Sequence, residues 1–160
     1  MTIRTLRATA FAVVAVLATA APLAPASANE HDGILKVKSA YTVAETVARI
    51  KKDIADKGIH FFVEIDQSQL AAKAGIKLRP STLLVFGNPA LGTQFITANP
   101  LAGLDWPVRL LVTQDDDGTV WAAYTDFDWV AQRHQITNRA RQFKMANDVI
   151  TLITSSVAAR

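Results

Sequence analysis

Between Arg79 and Phe95 the chain reads RPSTLLVFGNPALGTQF, and inside it Leu83 to Phe86 are four apolar residues in a row with turn formers on both sides. The run is too short for a buried helix. In a strand, successive side chains point to opposite faces, so an apolar run without alternation predicts a strand buried on both faces. Gly87, Asn88 and Pro89 stop it at once. Asn88 is a good helix N-cap and Pro89 suits the first helical position, where its missing N–H costs nothing. A strand delivered straight into a helix has to bury itself against that helix, which constrains the chain to a sheet with helices packed on it.

The flanking segments fit that scheme. Ile34 to Ser39 alternates as a strand, and Thr42 with Glu45 forms a capping box. Val43, Val47, Ile50 and Ile54 then make an apolar helical stripe, Glu45/Arg49 and Asp53/Lys57 are spaced for ion pairs, and Lys57-Gly58 is a helix stop. Ile59 to Ile65 predicts a strand with Ile59, Phe61, Val63 and Ile65 on one face and His60, Phe62, Glu64 and Asp66 on the other. Asp66 caps a short helix that Gly75 ends. A loop with Asn99-Pro100 and Asp105-Trp106-Pro107 leads to strands Val108 to Gln114 and Thr119 to Thr125, joined through Asp115-Asp116-Asp117-Gly118. Asp126 caps a short helix ending near His134, and Asn138 is placed to cap the last helix. The expected fold class is α+β, one two-layer domain over 29–160 of order βαβαβαββα, with helices on a mixed sheet.

The first 28 residues stand apart. A short basic start, the apolar stretch from Ala8 to Ala24 and the Ala26-Ser27-Ala28 signal predict a leader cleaved after Ala28 and a periplasmic or secreted bacterial protein. Pro22 and Pro25 interrupt the stretch before it reaches the ~20 apolar residues of a spanning helix. Without Arg4 and Arg7 the Lys+Arg count falls from 17 to 15 against 14 Asp+Glu, so the mature net charge is +1. That is no footprint for nucleic acid, which needs clustered positive charge. No later apolar run approaches membrane-spanning length. The chain has no cysteine, which excludes disulfides, thiolate chemistry and Cys-based metal sites.

Four groups of residues are candidates for chemistry. At Gly87-Asn88-Pro89 a helix N-terminus offers N–H groups and a positive dipole end to a small anionic ligand. Arg79 before the strand, Gly87 and Asn88 in the turn, Thr93 one helical turn later and Asp105 in the following loop would surround it. The alternative is a capped turn with no ligand. His60, Glu64 and Asp66 share a face, the pattern of a metal or acid–base site or simply of a solvated strand. His134, beside Arg133, is either a catalytic base or a cation at a helix end. Trp106, Trp121 and Trp129 are either an aromatic surface or core and dimer contacts. No metal and no cofactor is expected, and the chain lacks a nucleophile elbow, a zinc-binding helix motif, a P-loop and a dinucleotide fingerprint.

Taken together, Glu64-Ile65-Asp66, the stretch Leu78 to Pro89 with Gly92-Thr93, Leu104 to Pro107, Tyr124-Thr125-Asp126 and Arg133-His134 resemble the family called domain of unknown function 302, from about Val43 to His134. The resemblance implies a compact α+β domain that pairs as a homodimer and carries no established activity. Many members have histidine where this chain has Gln67 and leucine where it has Trp106. If a histidine at that position works with His134, this chain lacks half the pair. Three readings follow: an exported non-enzymatic module binding a small ligand at Arg79, Gly87, Asn88, Thr93 and Asp105; an enzyme using His134 with Asp66 or Asp105; or a purely structural dimer module.

Overall fold

In the computed structural model, which describes residues 32–159, strands are formed by Ile34–Lys38 (β1), His60–Asp66 (β2), Ser81–Gly87 (β3), Val108–Gln114 (β4) and Val120–Thr125 (β5). Helices run over Val43–Asp56 (α1), Gln67–Lys73 (α2), Pro89–Ala98 (α3), Phe127–Arg133 (α4) and Ala140–Ser155 (α5), with a 3₁₀ turn at Pro100–Leu104. The expected leader, its cleavage signal and His31 lie outside the described residues.

The strands form one sheet in the order β1-β5-β4-β3-β2. The α+β class and the order of elements are as the sequence predicts. The sheet itself is antiparallel at every pairing rather than mixed. The helices α2 and α3 each return the chain to the neighbouring strand in the opposite direction. Only α1 joins two strands of like direction, and β1 and β2 end at opposite edges, where they never pair.

Local signals account for most helix ends. The Thr42 hydroxyl accepts from the Glu45 N–H, and the Glu45 carboxylate accepts from the Thr42 N–H, so α1 starts on a complete capping box. Glu45 is therefore turned away from Arg49, whose guanidinium lies 3.8 Å over the Tyr41 ring, and the expected ion pair does not form. Asp53 and Lys57 do approach, to 3.9 Å. Gly58, at φ +62°, takes the left-handed residue that ends the helix. At α5 the cap position falls on Arg139 rather than Asn138, without a side-chain cap bond.

The core lies between the helices and one face of the sheet. Leu84, Leu110 and Val112 are fully buried there against Ile50, Ile54, Ile150 and Ile153. Each such side chain contributes about 1.5–3 kcal/mol by leaving water. Two expectations need correction here. A bulge between Phe61 and Val63 divides β2, so that Phe61 faces the helices opposite Phe86 while Val63 and Ile65 face the other way opposite Val85 and Leu83. Nor is β3 covered on both sides. Thr82, Leu84 and Phe86 are buried, whereas Leu83 and Val85 are only half-buried. They belong to a face on which Ile65, Leu83, Leu111, Ala123 and Lys36 form one row across all five strands. Val63 and Ile34, on the same face, are 44% and 43% exposed.

Candidate functional site

The end of β3 is built around Trp106. Gly87 and Gly92 are buried, and both back onto the indole. A Cβ on Gly87 would stand 3.0 Å from the indole Nε1, and one on Gly92 would overlap the ring. Neither glycine has positive φ, so what each position requires is the absence of a side chain. Phe62, in the β2 bulge, meets the same indole edge-on at 6.1 Å.

The helix start that follows is closed to an anion by its own residues. The Asn88 side-chain carbonyl accepts from the N–H groups of Ala90 and Leu91, at 2.9 and 3.3 Å. The Gly92 N–H reaches the Asn88 backbone carbonyl at 2.9 Å, and Pro89 has no N–H to offer. The Thr93 hydroxyl donates to the Pro89 carbonyl at 2.7 Å.

Beside this turn opens a cleft of about 360 Å³. Ile59, Leu91, Phe95, Trp106, Phe127, Val149 and Ile150 line it. Met145 and Leu152, 48% and 58% exposed, stand at its edge. Its polar members are Lys57 and Asn88. The volume falls in the range of small-molecule sites, about 300–1,000 Å³, and so does the mainly apolar lining.

Immediately before Trp106, Asp105 is held by three partners. Its carboxylate, 5% exposed, accepts from His134 Nε2 at 2.6 Å and lies 3.2 Å from Arg133 and 3.3 Å from Arg109. Arg109 also donates to the Leu104 carbonyl at 2.6 Å, and Asn99 donates to the His134 carbonyl at 2.9 Å. These bonds tie the loop carrying Trp106 to the end of α4. The space bounded by Asp105, Arg109, Phe127 and Val130 is about 10 Å³, enough for a water and not for a substrate.

The structure thus brings Gly87, Asn88, Thr93, Asp105, Trp106 and His134 to one end of the sheet, where His60 also lies, paired with Gly87 and edge-on to Phe62 at 4.4 Å, and leaves the other candidates elsewhere. Arg79 precedes the opposite end of β3 and pairs with Asp116 of the β4–β5 turn; it cannot contribute to a ligand at Asn88. Asp66 caps α2, and the Ser68 hydroxyl and then the Gln69 N–H hold its carboxyl below the usual aspartate range. It is not the partner of His134. Gln67 accepts from the Ser81 hydroxyl at 2.8 Å, at the start of β3, so a histidine there would sit roughly the length of a seven-residue strand, about 20 Å, from His134. Glu64 turns to the helix face and pairs with Lys51 at 2.5 Å. Among the described residues no cluster of three or more His, Cys, Asp or Glu side chains is arranged to hold a metal ion. The three tryptophans form no common surface, since Trp121 bonds Asp115 and Trp129 packs on Gly33.

Sequence reasoning missed the cleft. Its walls come from α3, α4, α5, the strands β3 and β4 and the turns beside them, and only the pair Gly87 and Gly92, at the end of β3 and in the first turn of α3, hinted that a bulky group packs there. The family model described as "Domain of unknown function DUF302" matches residues 35–154. The chain is 36% identical over 112 residues to "Fluoride-specific ion channel FluC 1" of Brucella suis biovar 1, covering 70% of this chain and 44% of that protein. It has the same identity over the same length to "Fluoride-specific ion channel FluC 2" of Brucella melitensis biotype 1, covering 42% of that protein. The chain spans less than half the length of these curated relatives. The crystal structure of an uncharacterized conserved protein DUF302 from Bacillus stearothermophilus superposes with a TM-score of 0.63 at 17% identity, over 79% of this chain and 96% of that one. This likeness concerns the fold.

Proposed function

The chain belongs to the family described as Domain of unknown function DUF302, and on that premise we propose that it is an exported, non-enzymatic module that takes up a small, mainly apolar ligand in the cleft beside Gly87, Asn88 and Trp106. The observation that carries this reading is the cleft itself, 360 Å³ of mostly apolar lining at the C-terminal end of β3. This reading keeps a small ligand, as the sequence suggested, and changes its chemistry. The Asn88 side-chain carbonyl and the Thr93 hydroxyl are occupied by the start of α3, so aromatic and aliphatic walls become the main recognition surface. Ion conduction is not extended to this chain, whose described residues include no helix long and apolar enough to cross a membrane.

Titration with N-phenyl-1-naphthylamine, a neutral apolar fluorophore, tests the proposal. Saturable enhancement is expected from wild type, with loss of binding in Val149→Trp, whose larger side chain fills the cleft. A folded wild-type protein that leaves the fluorophore unaffected overturns it.

A second reading rests on a different observation. The sheet face carrying Ile65, Leu83, Val85 and Leu111 has an apolar centre, flanked by Arg109 and Lys36, where a solvated antiparallel face is ordinarily polar. Among the described residues a groove of about 390 Å³ remains over Leu83, Leu111 and Trp121. We read this face as the contact between two copies of the chain, which would supply the second cover that the Leu83 to Phe86 run calls for.

A further inference from the structure

The chemistry of the cleft narrows the ligand class, on the assumption that the cleft is a binding site as proposed above. Of the residues that line it, Lys57 alone carries a charge. It sits at the C-terminal cap of α1, one residue before the turn into β2. Its nearest carboxylate, on Asp53, is 3.9 Å away, an ion-pair distance beyond hydrogen-bond reach, and its side chain is 34% exposed. A lysine stem lies readily along apolar surface while the ammonium stays at the edge. The other polar lining residue, Asn88, has its side-chain carbonyl committed to the N–H groups of α3, so what it presents to a ligand is its NH₂ donor. Both polar groups of the lining are therefore donors, one of them cationic, above walls that offer only apolar contact.

We infer that the cleft takes an amphiphile with an acidic head group, the tail lying against Phe95, Phe127 and Ile150 and the head meeting the Lys57 ammonium. A carboxylate gains a charge-assisted bond there. An alcohol of the same tail gains the walls alone, and a quaternary ammonium meets a like charge.

The test uses the full chain and displacement of N-phenyl-1-naphthylamine by decanoate, decanol and decyltrimethylammonium at neutral pH and low salt. Decanoate is expected to bind about tenfold more tightly than decanol, the value of one hydrogen bond to a charged group, and decyltrimethylammonium most weakly. Lys57→Met is expected to bring decanoate down to the level of decanol and to leave decanol unchanged. Equal binding of decanoate and decanol to wild type, or decanoate binding that Lys57→Met does not alter, overturns the acidic head while the cleft stands. If neither the fluorophore nor any of the three amphiphiles binds, the cleft reading falls and this inference falls with it.

Discussion

The indole of Trp106 rests directly on the backbone of Gly92, in space that any side chain at that position would occupy. The contact joins the loop before β4 to the first turn of α3, and Gly87 supports the same ring from the end of β3. The turn that reads as an anion cradle in the sequence is thus an aromatic seat, and one edge of that aromatic ring lines the neighbouring cleft.

Gly92→Ala is therefore expected to destabilise the protein by about 1–3 kcal/mol, the usual cost of forcing extra volume into a packed site. Urea unfolding measures the loss, and tryptophan emission reports the displaced ring. Combining it with Trp106→Leu should cost less than the sum of the two single changes, because the smaller side chain vacates the clash. Strict additivity would show that the two residues do not contend for the same space.

Asp105 is expected to matter more to folding than to chemistry. Asp105→Ala leaves His134, itself buried, without its partner and releases two arginines, at a cost of about 3 kcal/mol. His134→Gln keeps a donor and should cost about 1 kcal/mol. Thermal and urea unfolding of both variants check this order. An activity in a broad hydrolase or isomerase screen that His134→Gln abolishes while the fold is retained would restore the enzymatic reading.

Arg79→Ala should change stability by less than about 0.5 kcal/mol, since its pairing with Asp116 is solvent-exposed. Binding in the cleft, at the other end of β3, should be unaffected. A loss of fluorophore affinity in this variant would contradict the placement of the site.

Self-association through the free sheet face predicts a concentration-dependent dimer in sedimentation equilibrium. Leu111→Lys places a charge between Leu83 and Ala123 at the apolar centre of this face and should yield a folded monomer, judged by unchanged circular dichroism. A wild-type protein that stays monomeric at every concentration, or a Leu111→Lys dimer as stable as wild type, removes this reading.

Most of the fold was legible because its signals are local. The Thr42/Glu45 box, the Gly58 stop, the Asp66 and Asn88 caps, Pro89 at the helix start and the hairpin at Gly118 all involve groups within a few residues of one another. Of two exceptions, the first had a tertiary cause and the second a local competitor. The bulge that sends Phe61 and Val63 to opposite faces exists only in the pairing with β3, and the Glu45/Arg49 pair lost to a cap and to the Tyr41 ring. The candidate site was legible in part. Asp105 and His134 were both named, yet their 2.6 Å contact spans 29 residues of chain, and Lys57 was read only as the ion-pair partner of Asp53 and a helix stop.

The division follows from what each kind of information can carry. By itself the sequence determined the class of the fold, the order of its elements and the turn at Asn88-Pro89, since these depend on backbone geometry and hydrogen bonds that adjacent residues supply. Tertiary structure alone decided that Trp106 fills the space over Gly87 and Gly92, that Arg79 lies at the far end of the sheet and that one face of β3 stays open. It also decided that Lys57 meets the apolar walls contributed by α3 and α5. Those outcomes depend on strand order and on which surfaces pack together, and a linear pattern of residues does not specify either.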